Sequence, residues 1–169
     1  MKHYSRIAFA LLAGSLSTSL HADGDWQPCN KADVKALKVF TVGEAALYRK
    51  NCDVENLLSP PLKLSFRYFR EVPGDAFGKA AMHFLEKNLR PEEFARLKPD
   101  LADFNSHYQD VDDGDQYLLT YSNDGLTLTL NGKPLAYRQG RDFASAYLTI
   151  WFGPRPYSDD MKETLLGSR

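Results

Sequence analysis

The sequence predicts an α+β domain in which helices layer on one face of an antiparallel sheet. Three observations carry that expectation: strict alternation of apolar and polar residues over 62–68, apolar residues at helical spacing through 75–89, and turn-separated alternation from 117 to 137. Strand signals come first, helices occupy the middle, a hairpin follows and helices close the chain. No linker, repeat or low-complexity stretch interrupts them.

At the start, Lys2 and Arg6 precede a short apolar core, residues 7–13, and small and polar residues lead to Leu20-His21-Ala22. This order predicts a secretory signal over residues 1–22 with cleavage after Ala22. The apolar run is far below the ~20 residues that span a bilayer, and no other run is long enough, so no stable membrane span is expected. The remaining 23–169 stretch has 169 − 22 = 147 residues, the size of one domain, and losing Lys2 and Arg6 moves the formal charge from −1 to −3. That balance argues against nucleic acid as a partner. The expected location is periplasmic or secreted.

Cys29 and Cys52 are the two cysteines, one on each side of a strand predicted over 39–49. An oxidising compartment favours a bridge whose loop closure contributes ~3 kcal/mol. Two separately buried thiols remain the alternative, because sequence does not bring the Cα atoms together. A redox or metal role is disfavoured, since there is no C-x-x-C and no histidine at ligand spacing.

Residues 37–48, rich in Val, Phe, Ala and Tyr, read as a largely buried strand. Pro60-Pro61 then opens the next strand abruptly, with Leu62, Leu64, Phe66 and Tyr68 on one face and Lys63, Ser65 and Arg67 on the other. From Asp75, read as an N-cap, Phe77, Ala81, Phe84, Leu85 and Leu89 recur at helical spacing. Pro91-Glu92-Glu93 opens a further helix through Leu97, and 101–108 reads as another. Residues 117–121, the turn Asn123-Asp124-Gly125 and the alternating Leu126, Leu128 and Leu130 predict a hairpin. Asn131-Gly132 returns the chain through Leu135 and Tyr137. Asp142 is read as the N-cap of a helix burying Phe143, Ala146, Tyr147 and Ile150, which stops at Gly153 before Pro154 and Pro156. Ser158 then caps a last helix, with Asp159 and Asp160 at its positive end and Met161 and Leu165 on its apolar face.

Familiar catalytic motifs are missing: there is no G-x-S-x-G, no phosphate-binding glycine loop and no G-x-G-x-x-G. The run from Asp110 to Asp115 imitates a calcium loop, but its glycine comes one place early and Tyr121 stands where a bidentate Glu is needed. His83 and His107 are isolated, and an isolated histidine is usually structural. No cofactor or metal site is expected.

Three segments resemble the chalcone isomerase family. The most specific is 141–167, RDFASAYLTIWFGPRPYSDDMKETLLG, through the spacing of Ala146, Leu148, Gly153, Ser158, Asp160 and Lys162. The others are 39–48, VFTVGEAALY, and 70–82, REVPGDAFGKAAM. The resemblance extends from about Asn30 to Gly167, implies an open-faced β-sandwich, and is nearer to secreted bacterial relatives than to the plant enzymes. Family enzymes close a chalcone to a flavanone by attack of a phenolate on an enone, using an arginine, a tyrosine, a threonine, an asparagine and a further hydroxyl. Such chemistry needs a cation for the nucleophile and donors where enolate charge develops. Carried onto this chain, the arginine position falls at Lys35, which lacks the planar fork. The tyrosine position falls on Phe77, the asparagine position on Phe84 and the hydroxyl position on Ile150, while Thr41 stands for the strand threonine only after a register slip of two.

Phe77 and Phe84, seven apart on one helix, share a face and can line one wall of a cleft with Ile150. The resemblance therefore implies a non-catalytic binder of a hydrophobic or amphipathic small molecule such as a fatty acid, held by Lys35, Thr41, Tyr48, Phe77, Phe84 and Ile150, with Lys35 pairing a carboxylate. Two alternatives stay open. One is an isomerase or intramolecular lyase using Lys35 with Thr41 or Tyr48. The other is a scaffold with a protein partner and no small ligand, which requires Phe77 and Phe84 to pack against the sheet with no space between.

Overall fold

Alternation and turn chemistry assemble a six-stranded sheet in which every strand pairs antiparallel with its neighbour in sequence. The structure, a computed structural model, describes residues 26–167 apart from 38 and 54. The signal reading over 1–22 lies outside the described residues. The strands are β1 (Gln27–Ala36), β2 (Phe40–Arg49), β3 (Leu62–Tyr68), β4 (Gln116–Tyr121), β5 (Gly125–Leu130) and β6 (Lys133–Gln139). Between β3 and β4 lie α1 (Gly74–Asn88) and α2 (Pro91–Asn105), and α3 (Arg141–Phe152) and α4 (Asp159–Leu165) end the chain. The helices cover one face of the sheet, α3 over β5 and β6, α4 over β1 and β2, and α1 against α2 and α3. This is the α+β layout with an antiparallel sheet that the sequence predicts.

The core follows from strand parity. Leu62, Leu64, Phe66 and Tyr68 of β3 meet Tyr117, Leu119 and Tyr121 of β4 and Leu126 and Leu128 of β5, all buried under the helices. Each such side chain contributes about 1.5–3 kcal/mol of burial as an upper figure. The turn at Asn131-Gly132 takes φ values of 50° and 79°, the left-handed pair that a two-residue hairpin demands. Ser158 caps α4 as expected, its Oγ accepting from the Met161 N–H at 3.2 Å.

Several expectations need correction. β1 is a strand that apolar alternation did not reveal, because it is a polar sheet edge whose ladder is broken by register shifts at Pro28/Asn30 and at Val34/Lys35. α2 is one helix rather than two. Its buried stripe of Phe94, Leu97, Leu101 and Phe104 holds it down while Pro99 faces solvent. Neither Asp75 nor Asp142 is an N-cap, and both sit in the first turn of their helices. α1 begins at Gly74, whose N–H donates to Asp110 Oδ1 at 2.7 Å, so its cap comes from a distant segment. α3 begins directly after Gly140, whose φ of 110° turns the chain out of β6 in a single residue.

Cys29 and Cys52 form a disulfide across 23 residues, tying β1 to the segment after β2. That segment is also held by buried Arg49, whose guanidinium donates to the carbonyls of Leu57 and Ser59 at 2.6 and 2.5 Å. Among the described residues no helix is long and apolar enough to cross a membrane.

Candidate functional site

A cavity of about 230 Å3 lies between α1 and the sheet. Its origin is visible in the sequence of α1. Phe77 and Phe84 sit two turns apart on the inward stripe, and the positions between them that reach the same space, Ala80 and Ala81, are too small to fill it. Phe66 and Tyr68 of β3 form the floor with Tyr117 and Leu119 of β4, and Ile150 and Trp151 of α3 close one side.

The β1–β2 end is shaped by a bulge. The ladder runs Val34↔Gly43 and then Lys35↔Thr41, so Val42 has no opposite residue. Val34 and Val42 therefore both line the cavity.

Of the six residues assigned to ligand binding from the sequence, the structure brings three to this space: Phe77, Phe84 and Ile150. Lys35, Thr41 and Tyr48 are not among its lining residues. Lys35 and Thr41 are exposed partners across the β1–β2 ladder, and Lys35 instead borders a separate groove with Lys31, Asp33, Glu44 and Asp160. Tyr48 follows buried Leu47 on β2 and pairs with Pro28 and Lys63, which a period of two places on the other face. The scaffold alternative expects no space between the Phe77 helix and the sheet, and the space is present.

Aromatic rings pack against one another along the walls. Phe77 meets Tyr68, Tyr108 and Tyr117 at centroid distances of 5.2, 5.5 and 5.3 Å. Phe84 meets Tyr157 at 5.6 Å, and Phe66 meets Trp151 at 5.0 Å. These are favourable tilted or edge-on geometries.

The polar component of the cavity consists of tyrosine hydroxyls, whose only mark in the sequence is their core-like positions. Tyr117 donates to the Gln109 carbonyl at 2.6 Å and accepts from the Gln109 N–H at 2.8 Å. Tyr157 donates to the Lys35 carbonyl at 2.8 Å. Tyr147, behind the wall, donates to Asn105 Oδ1 at 2.6 Å, which leaves its oxygen to accept from Tyr108 at 3.0 Å. The Tyr68 backbone is bonded to Asp115 and Gly114, but its hydroxyl has no hydrogen-bond partner among the described residues, and only 6% of the residue's surface is exposed. Burial holds the Tyr68, Tyr108 and Tyr147 phenols well above the usual tyrosine range, and also raises Tyr117 and Tyr157. All are neutral donors at physiological pH.

No charged side chain lines the cavity among the described residues. His83 is exposed on α1, and His107 Nδ1 lies 2.9 Å from the Asp103 carbonyl. Neither histidine borders the cavity. The arrangement suits an apolar body with a small polar end.

No curated protein sequence matches this chain. A solved structure of an Arabidopsis thaliana fatty-acid binding protein superposes with a TM-score of 0.56 at 14% identity, over 85% of this chain and 88% of the other, so the fold is shared. The sequence profile described as chalcone isomerase-like matches residues 17–167, nearly the whole chain. With that match joined to the antiparallel sheet and its single helical layer, this protein belongs to the chalcone isomerase-like family.

Proposed function

We propose that this protein binds a small amphipathic molecule such as a fatty acid in the cavity beneath α1 and catalyses no reaction on it. The observation that carries this reading is the composition of the wall. Phe77, Phe84 and Ile150 stand where the family resemblance implies a tyrosine, an asparagine and a hydroxyl, and all three border one apolar space. Ring closure of the isomerase type needs a cation for the phenolate and donors at the developing enolate. Among the described residues the cavity offers no cation, and Lys35 borders a different groove. The shared fold with a protein described as a fatty-acid binding protein supports the ligand class. The charged start and short apolar core of residues 1–22 support export to the periplasm or beyond.

The cavity limits the ligand's size. An apolar core cavity of ~150 Å3 holds benzene, so about 230 Å3 has room for roughly nine carbon atoms. It is smaller than the ~300–1,000 Å3 of pockets for drug-sized ligands, which favours a medium over a long acyl chain. Native mass spectrometry of protein isolated from its own compartment is expected to show one bound medium-chain species. Titration with medium-chain acids, alcohols and ketones is expected to shift the emission of Trp151 in the wall and to add about 2.7 kcal/mol of stability at a ligand concentration a hundredfold above Kd. Protein that is isolated empty and responds to none of these compounds would refute the proposal.

A further inference from the structure

The polar end of the ligand can be inferred from which tyrosine is left unengaged. Tyr117, Tyr157 and Tyr108 each spend their hydroxyl proton on a protein acceptor. Of the four cavity tyrosine hydroxyls, that of Tyr68 alone has no acceptor among the described residues, while its ring is held between Phe77 and Tyr117 at centroid distances of 5.2 and 6.2 Å. The residue is 6% exposed overall, and its unpartnered hydroxyl keeps some accessible surface at the cavity wall, so it marks a place where a ligand acceptor can take the bond that water otherwise makes.

The charge of that acceptor follows from the surroundings. An ionised carboxylate taken out of water needs a cation or several donors. The lining has no charged side chain among the described residues, and a single free phenol does not replace the hydration of an anion. An uncharged oxygen loses much less on entry and needs one donor.

We propose that Tyr68 is a specificity-determining residue that donates to an uncharged oxygen of the ligand, a ketone, aldehyde, ester or alcohol, and that the cavity discriminates against ionised carboxylates. The inference rests on the binder reading and changes its ligand from an ionised fatty acid to an uncharged molecule with the same apolar body. Burial that raises the Tyr68 phenol well above its usual range keeps it a donor across the physiological pH range. No other polar side chain is needed, because the body of the ligand meets only apolar and aromatic surface.

The test compares three compounds of nine carbons, methyl heptyl ketone, nonane and nonanoate, at pH 8, where the acid is fully ionised. Binding is read by calorimetry with wild type and with Tyr68→Phe, which keeps the ring and removes the hydroxyl. The ketone is expected to bind wild type about tenfold or more tightly than nonanoate does. Tyr68→Phe is expected to weaken the ketone by roughly 5- to 10-fold, the size of one net hydrogen bond, and to leave nonane unchanged. Nonanoate binding as tightly as the ketone would overturn the inference while leaving the binder reading intact. An equal loss of ketone and nonane in the variant would reduce Tyr68 to a packing residue and overturn its assignment. If none of the three binds wild type, the binder reading fails and this inference with it. The wild-type ranking decides the question of charge even where the variant does not fold.

Discussion

Tyr68, Tyr108 and Tyr147 put three phenols where their ionised form is penalised by burial, and this gives the protein a predictable response to base. Their folded-state values lie above the ordinary value of ~10, which the unfolded chain recovers. Above pH ~10 the unfolded chain loses protons that the folded one keeps, so their contribution is complete below pH ~10 and declines as pH rises towards the folded-state values. Alkaline titration is therefore expected to unfold the protein, with phenolate absorbance and loss of circular dichroism rising together. Ionisation of every tyrosine near pH 10 with the spectrum of the fold intact would contradict this. At this scale the sequence was informative about Phe77 and Phe84, because seven residues on a helix bring side chains back to one face. It was uninformative about Tyr68, which looks in β3 like any other inward strand residue. Whether an inward hydroxyl finds an acceptor depends on residues distant in sequence, such as Gln109 for Tyr117 and Lys35 for Tyr157.

Among the elements, β1 is the one most dependent on outside support. It is an edge strand of mostly polar residues, joined to β2 through a ladder with two register shifts, and Asn30 adds a side-chain bond to the Leu165 carbonyl at 3.0 Å. The Cys29–Cys52 bridge is its covalent fastening. Reduction is expected to cost about 3 kcal/mol through the 23-residue separation and to show first as faster amide exchange in 27–36. An unchanged denaturation midpoint and unchanged exchange in that strand would show that the bridge does not support it. Regular elements were legible where an apolar face repeats, as in β3, α1, the β4–β5 hairpin and α3. β1 was missed because an edge carries no such repeat. The starts of α1 and α3 were misplaced because their ends are set by Asp110 and Gly140, through contact and backbone conformation rather than by a local capping side chain. Lys35 stands apart from the cavity because its outward direction follows from β1 and its bulge, which local alternation does not encode.

On the scale of the whole molecule, the cavity is a packing deficit between α1 and the sheet that the fold tolerates. Ala81 is 5% exposed and lies between Phe77 and Phe84 on the inner side of α1. Ala81→Leu should place its added carbons in the empty space, so stability is expected to change by no more than about 1 kcal/mol, in contrast to the ~1–3 kcal/mol typical of overpacking a filled core. Affinity for a medium-chain ligand is expected to fall at least about tenfold, as measured by calorimetry alongside thermal denaturation. Unaltered affinity in a folded Ala81→Leu protein would move the binding site elsewhere. The class of fold, the order of most elements, the family resemblance and the loss of polar groups at Phe77, Phe84 and Ile150 are all legible in the chain, because periodicity and motif spacing are local properties. The meeting of the two cysteines, the separation of Lys35, Thr41 and Tyr48 from the cavity, and the unpartnered Tyr68 hydroxyl at its wall come from the folded arrangement alone. Each of these depends on strand register and on contacts between residues far apart in the chain, which local pattern does not encode.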